Sequence, residues 1–169
     1  MYPWAADQLA AYNHLLVDNF GAGVYAAYLP IRSELSPVPL MSALQGAGQQ
    51  TALPITPAEG EPLSFRSWTV GDDLEDGPYG TRQPLLAGQP VLPDVILAPM
   101  LAFDDFGYRL GYGGGFYDRT VADLRKRQHT VYLVGLGYDG QKLDNVPIGP
   151  YDMPLDAILS QSGLFQPDR

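Results

Sequence analysis

The sequence predicts an α/β fold, a three-layer sandwich in which a mostly parallel sheet is flanked by helices. Three observations carry that expectation. Short apolar runs rich in β-branched residues, at 24–29, 95–100 and 131–136, are interleaved with stretches of helical period. Two of these runs are apolar nearly throughout, as strands covered on both faces are. The segment 95–128 reads as strand, glycine-rich turn and helix in direct succession.

Taken in order, Trp4, Leu9, Tyr12, Leu15, Leu16 and Phe20 recur close to the i, i+3, i+4 rhythm of one amphipathic helix over 1–20, with Gly21 and Gly23 to stop it. Residues 24–29 form a short buried strand ended by Pro30. Residues 37–47 give a second helix, with Pro37 at its start and Gly46 and Gly48 at its end. Residues 51–55 and 64–70 are strands, the second alternating through Phe65 and Trp68. Residues 71–93 crowd Asp72, Asp73, Glu75 and Asp76 among frequent Gly and Pro, and are expected to be a long surface loop. The acidic cluster has no EF-hand spacing, so a solvated loop is preferred to a calcium site. After the strand 95–100 come a helix over 116–128, a strand over 131–136 and a last short strand at 157–159; the tail after Gly163 is expected to be mobile. No internal repeat breaks the chain, and 1–169 is read as a single domain.

With 46% hydrophobic and 17% charged residues the composition suits a folded protein. A net charge of −9 and a pI near 4.4 argue against nucleic-acid or anionic-membrane partners, although a local basic pocket can sit in an acidic surface. The absence of cysteine excludes disulfides, thiolate catalysis and zinc–sulfur sites. No apolar run reaches membrane-spanning length and no signal peptide is evident, so the protein is expected to be cytoplasmic, a monomer or weak homodimer.

The chemistry is expected at Tyr108-Arg109-Leu110-Gly111-Tyr112-Gly113-Gly114-Gly115-Phe116-Tyr117-Asp118-Arg119. Four glycines within five positions allow positive φ and remove the side chains that would hold a ligand off the backbone. Main-chain amides in such a turn converge on an anion, and the following helix start adds partial positive charge. A tight structural loop is the plain alternative. The company of the glycines favours a phosphate: an arginine fork suits its oxygens, and a carboxylate beside phosphates suits Mg²⁺. The spacing matches neither the Walker pattern nor GxGxxG. His14 and His129 are isolated, read as helix-surface or helix-end residues, and no Ser-His-Asp arrangement can be argued.

These residues carry a resemblance. Pro99-Met100-Leu101-Ala102-Phe103-Asp104, followed by 108–119, closely resembles the PGLAFD and RLGYGGGYYDR segments of the 5-formyltetrahydrofolate cyclo-ligase (methenyltetrahydrofolate synthetase) family. Gly135-Leu136-Gly137-Tyr138-Asp139-Gly140-Gln141 and Tyr151-Asp152-Met153-Pro154-Leu155-Asp156 are similar to its GLAYDxQ and HDVPVD, and Tyr28-Leu29-Pro30 with Glu34 to its YxPxxxE. The resemblance spans about residues 23–160 and implies conversion of 5-formyltetrahydrofolate to 5,10-methenyltetrahydrofolate, with ATP as co-substrate and Mg²⁺ as cofactor. The formyl oxygen attacks the γ-phosphorus, N10 closes the ring on the resulting iminium carbon, and phosphate leaves. The substrates supply the nucleophiles, so positioning and charge neutralisation matter and no covalent catalytic residue is needed.

By the same resemblance Arg109, Gly111, Tyr112, Gly113, Gly114, Gly115, Phe116 and Tyr117 bind the nucleotide, and Asp118 and Asp152 bind the metal. Leu29, Glu34, Tyr79 and Phe116 bind the folate, Glu34 through the pterin. Residue-level alternatives stand beside these roles: helix-dipole compensation for Asp118, an Asx-turn for Asp152, a surface ion pair with Asp104 or Asp105 for Arg109. Asp156 is read as a cap or strand-end residue, and Arg119, Arg125, Lys126 and Arg127 as helix-surface charge. Phe116 and Gln83 depart from the family's usual Tyr and Glu. The family also opens with a Lys/Arg-bearing helix, whereas no Lys or Arg precedes Arg32, so that segment is expected to be missing. Each lost contact to phosphate costs on the order of 1.5–3 kcal/mol. A relative that binds nucleotide or folate without turnover is therefore the main rival. A sugar-phosphate isomerase or acyl-CoA transferase-like protein is the second, with no lysine or glutamate constellation to support it.

Overall fold

The computed structural model describes residues 3–168. Its helices are α1 (Pro3–Ala11), α2 (Asn13–Phe20), α3 (Val38–Gly46) and α4 (Phe116–Lys126). The strands are β1 (Val24–Ala26), β2 (Gln50–Ile55), β3 (Ser64–Ser67), β4 (Leu74–Asp76), β5 (Arg82–Pro84), β6 (Pro90–Val91), β7 (Val95–Pro99), β8 (Ala102–Phe103), β9 (Arg109–Leu110), β10 (Tyr132–Leu136), β11 (Ala157–Ser160) and β12 (Gly163–Phe165). Eight of them form one sheet in the order β12-β11-β10-β7-β1-β2-β3-β6. The strands from β11 to β2 run parallel, with β12 antiparallel at one edge and β3 and β6 at the other.

The pleat explains why the central strands are apolar throughout, because alternate residues enter two different cores. Val95 and Leu97 of β7, Val134 and Leu136 of β10, and Ala157 and Leu159 of β11 join Leu9, Leu16, Leu40, Met41 and Leu44 of α1, α2 and α3. Ile96, Ala98, Leu133 and Ile158 point the other way and meet Val121 and Leu124 of α4. Three layers result, as the sequence predicts. Gly135 in β10 is required by packing: a Cβ there would lie 2.8 Å from Met100 Sδ and 3.0 Å from Leu155 Cδ1.

Three details differ from the sequence reading. The N-terminal periodicity is two helices, broken at Tyr12, whose amide bonds the Leu9 carbonyl while Asn13 Nδ2 donates to the Ala10 carbonyl. Those local bonds compete with helix continuation, and period alone does not register them. Residues 71–93 are not a structureless loop, since β4 and β5 form a hairpin and β6 extends the main sheet beside β3. Pairing of two or three residues across the sheet overrides a composition dominated by Gly, Pro and Asp. The tail expected to be mobile holds β12, paired with β11 through Leu159 and Leu164; Arg169 lies outside the described residues.

Carboxylates bind the layers at both ends of the sheet. At the amino end, Asp94 accepts from the Val24 amide (2.7 Å), and Asp156 accepts from the Leu133 amide (2.8 Å) while pairing with Arg125 (3.1 Å). At the carboxyl end, Asp104 is 1% exposed. It accepts from the amides of Phe106 (3.0 Å), Tyr108 (3.1 Å) and Val146 (3.0 Å), which fixes the β8–β9 hairpin leading to Arg109. Replacing Asp104 with Ala leaves three amides without that acceptor and is expected to cost on the order of 3–5 kcal/mol. In a chain of this size that lowers the melting temperature by about 10 °C. Asp104→Asn should fall between, since its NH₂ group cannot accept. Thermal unfolding of both variants checks this, and unchanged melting would contradict it.

Candidate active site

In an open parallel sheet, ligands enter where neighbouring strands send their connections to opposite faces. Here β1 continues through α3 on one face to β2, while β7 continues through α4 on the other face to β10. The crevice therefore opens between the carboxyl ends of β1 and β7. Two clefts lie along it and share Pro99, Tyr112, Phe116 and Tyr117 as a common wall.

The first cleft, of about 300 Å³, is built on the glycine turn. Gly113 (φ 91°) and Gly115 (φ 68°) adopt left-handed backbone, so a side chain at either would strain the turn. Gly115 is the residue before α4, and its amide and those of Gly113 and Gly114 donate to no protein group among the described residues. Three main-chain donors thus stand free at a helix start. Arg109 sits beside them with its side chain only 9% exposed. Its guanidinium lies 5.3 Å from the centre of the Tyr117 ring, Nη1 donates to the Pro99 carbonyl (3.3 Å), and Nη2 is 4.0 Å from Asp118 Oδ2. Its Nε is buried with no partner. The ion pair with Asp104 or Asp105 is therefore not formed; Asp105 pairs with Lys142 at 2.7 Å instead.

Asp118 and Asp152 both line this cleft. Each commits one oxygen to the main chain, Asp118 Oδ1 to the Met153 amide (3.0 Å) and Asp152 Oδ2 to the Gly149 amide (2.7 Å). Among the described residues no group of three or more His, Cys, Asp or Glu side chains forms a metal site. Two carboxylates fit a cation that arrives with phosphate oxygens and water completing its shell, which is the habit of Mg²⁺.

The second cleft, of about 410 Å³, is the more apolar. It brings together Leu29, Glu34, Tyr79 and Phe116, all four of the residues expected there from dispersed parts of the chain. Burial raises the Glu34 carboxyl above its ordinary value of 4.5, while hydrogen bonds from Tyr112 and from the main chain at Ile31 pull it down. Tyr79 tops the β4–β5 hairpin, 74% exposed, in left-handed backbone at φ 61°. That conformation is strained for a bulky residue, and it hangs the ring at the cleft mouth.

The sequence reading did not anticipate several participants. Tyr28 lines the second cleft as a buried ring, its hydroxyl donating to the Leu35 carbonyl. Burial also drives the Tyr117 hydroxyl's pKa up. Arg32 and Arg82 reach the second cleft, and Pro147 the first. Gln141, quoted in a motif without a role, donates to the carbonyls of Met100 (2.7 Å) and Leu101 (3.1 Å) and so ties the end of β7 to the turn after β10. Arg119, taken for surface charge, lies 5.0 Å from the centre of the Phe116 ring and braces it beside the glycines. Arg125 and Arg127 are on the helix surface as read, paired with Asp156 and Asp123.

The geometry can be set beside known proteins. The profile of the 5-formyltetrahydrofolate cyclo-ligase family matches residues 5–161. A 5-formyltetrahydrofolate cyclo-ligase of Escherichia coli (strain K12) is 34% identical over 96% of this chain and 88% of its own length. One from Haemophilus influenzae is 33% identical over 85% of this chain and 79% of its own. The solution structure of a 5,10-methenyltetrahydrofolate synthetase from Aquifex aeolicus superposes with a TM-score of 0.75 and 27% identity, covering 95% of this chain and 80% of that one. A Mycoplasma pneumoniae 5,10-methenyltetrahydrofolate synthetase, 22% identical with a TM-score of 0.70 over 94% of this chain and 86% of its own, shares the fold. With profile, sequence and architecture in agreement over nearly its whole length, this chain belongs to the 5-formyltetrahydrofolate cyclo-ligase family.

Proposed function

We propose that the protein converts 5-formyltetrahydrofolate to 5,10-methenyltetrahydrofolate in the cytoplasm, consuming ATP and releasing ADP and phosphate. The observation that carries this reading is the shared wall: a cleft floored by three unpartnered amides opens directly beside a more apolar cleft that holds a half-buried carboxylate. Two ligands in those clefts meet at Pro99, Tyr112, Phe116 and Tyr117. A phosphoryl group in one would then lie against a formyl group in the other.

The amides of Gly113, Gly114 and Gly115 take the terminal phosphates, with Gly111 and Tyr112 shaping the turn. Arg109, held rigid by Tyr117 and Pro99, neutralises phosphate charge with a donor to spare. Asp118 and Asp152 would hold Mg²⁺, which supplies further neutralisation of the triphosphate when bound. Leu29, Phe116 and Tyr79 enclose the folate rings, and Glu34 accepts from pterin N–H groups. The formyl oxygen displaces ADP from the γ-phosphorus; N10 then attacks the formyl carbon, and the C–O bond to phosphate breaks. Both nucleophiles are the substrate's own, so the protein's part is alignment and electrostatics.

Absorbance of the methenyl product, followed with 5-formyltetrahydrofolate, ATP and Mg²⁺, tests the proposal. Turnover is expected from the parent chain, and Asp118→Ala should reduce it by at least about a hundredfold through loss of transition-state charge stabilisation. Binding of both ligands without product would sink the assignment.

Glu34 gives a pH signature. Its ionised form is the acceptor, and its pKa is raised by burial. Folate affinity should thus be full above that raised pKa and weaken as pH falls through it, at a higher pH than an ordinary glutamate would titrate. Glu34→Gln should bind more weakly and with a flat profile over the same window. Calorimetric titration across pH checks both, and a flat profile in the parent would contradict the assigned role.

A further inference from the structure

A cation stands behind the glycine turn, outside the lining of either cleft. Arg119 is the fourth residue of α4, and helical side chains lean toward the amino end, so its stem reaches back over Gly115 and Phe116. The guanidinium lies 5.0 Å from the centre of the Phe116 ring. A Cβ at Gly115 would come within 2.8 Å of Nη1, so the charge rests directly against the main chain of the turn. Nη2 is buried with no hydrogen-bond partner, and Nε makes only a long contact, 3.5 Å, to the Glu61 carbonyl. Arg119 forms no ion pair among the described residues. A cation in the first turn of a helix is opposed by the helix dipole, so an unpaired one there lowers stability. Arg109, by contrast, is offset by Asp118 at 4.0 Å, and Asp152 adds a second carboxylate to the same cleft. One guanidinium against two carboxylates leaves the side-chain charge of that cleft negative.

We propose that Arg119 is the second cation of the anion site, acting from behind Gly115 through the field it adds at the free amides and not by contact. This rests on the reading of the glycine turn as a phosphate cradle and is independent of what occupies the second cleft. An anion accepting from the Gly115 amide sits about 2.9 Å from the nitrogen, and so within about 9 Å of Arg119 Nη1. At an effective dielectric of about 20, one unit charge at that range changes the affinity for a singly charged group by about twentyfold. The ligand class follows: a group that brings several negative charges to the turn, as a polyphosphate does, gains most. A residue that lowers stability while raising ligand affinity fits a position kept for function.

Calorimetric titration of inorganic tripolyphosphate in metal-free buffer, on the parent, Arg119→Met and Arg119→Lys, tests the charge. The first variant keeps an apolar stem over Phe116, and the second keeps the cation. Arg119→Met should bind at least about tenfold more weakly than the parent, and Arg119→Lys should bind within about threefold of it. Affinity of Arg119→Met for 5-formyltetrahydrofolate should stay within about twofold of the parent's, because the added field is local to the turn. Equal tripolyphosphate binding by Arg119→Met and the parent, or no recovery in Arg119→Lys, overturns the proposal. So does a fall in folate affinity that matches the fall for tripolyphosphate, since Arg119 would then act only as a brace for Phe116, a wall of both clefts. A parent that binds tripolyphosphate but no reduced folate refutes the folate reading alone, and the tripolyphosphate series then decides the role of Arg119. A parent that binds no tripolyphosphate overturns the cradle and the role of Arg119 together.

Discussion

The amides of Gly113, Gly114 and Gly115 must remain free of covering side chains and of internal hydrogen bonds, and their surroundings are arranged to keep them so. Amides without partners are costly when buried, and a loop of glycines loses more entropy on ordering than any other sequence. The turn is held from outside. Asp104 fixes the hairpin that delivers Arg109, Arg109 is clamped between Pro99, Tyr117 and Asp118, and Arg119 braces Phe116. Thr120 completes the far side, its hydroxyl donating to the Phe116 carbonyl (2.6 Å) and accepting from the Leu63 amide (2.9 Å). Rigidity in the frame leaves the donors themselves uncommitted, which is the condition for preorganised electrostatics.

The sheet topology then sets what lies next to that turn. Because β1 and β7 are neighbours whose connections leave toward opposite faces, the segment 28–34 and the segment 99–118 converge without any direct sequence link. One cleft is amide-lined, the other more apolar with a single half-buried carboxylate, and the wall between them is only one residue thick. That adjacency suits transfer of a phosphoryl group between two bound small molecules. A net charge of −9 does not oppose the proposed anion site, since its attraction is local to a few fixed dipoles and Arg109.

Much of this was legible in the sequence, and for identifiable reasons. Central strands such as 95–99 and 132–136 are read correctly because burial on both faces leaves no polar position to confuse the pattern. The glycine turn stands out because positive φ admits so few residue types. The convergence of Leu29, Glu34, Tyr79 and Phe116 came through family likeness, since nothing in their separate spacings puts them in one cleft. What escaped depends on tertiary context. The hairpin of β4 and β5 is three residues a side and bears Asp, Glu, Arg and Pro. Asp104 and Gln141 act on main-chain groups, and a residue that bonds backbone leaves no periodic trace. The break at Tyr12 is likewise a matter of local hydrogen bonds rather than of period.

The central claim is that the glycine-turn amides grip the nucleotide's terminal phosphates, and ¹H–¹⁵N NMR tests it most directly. On titration with Mg²⁺ and a non-hydrolysable ATP analogue, the amide signals of Gly113, Gly114 and Gly115 are predicted to shift downfield together and saturate at one affinity. Saturable binding that leaves those three signals in place, while moving others elsewhere on the protein, would contradict the account.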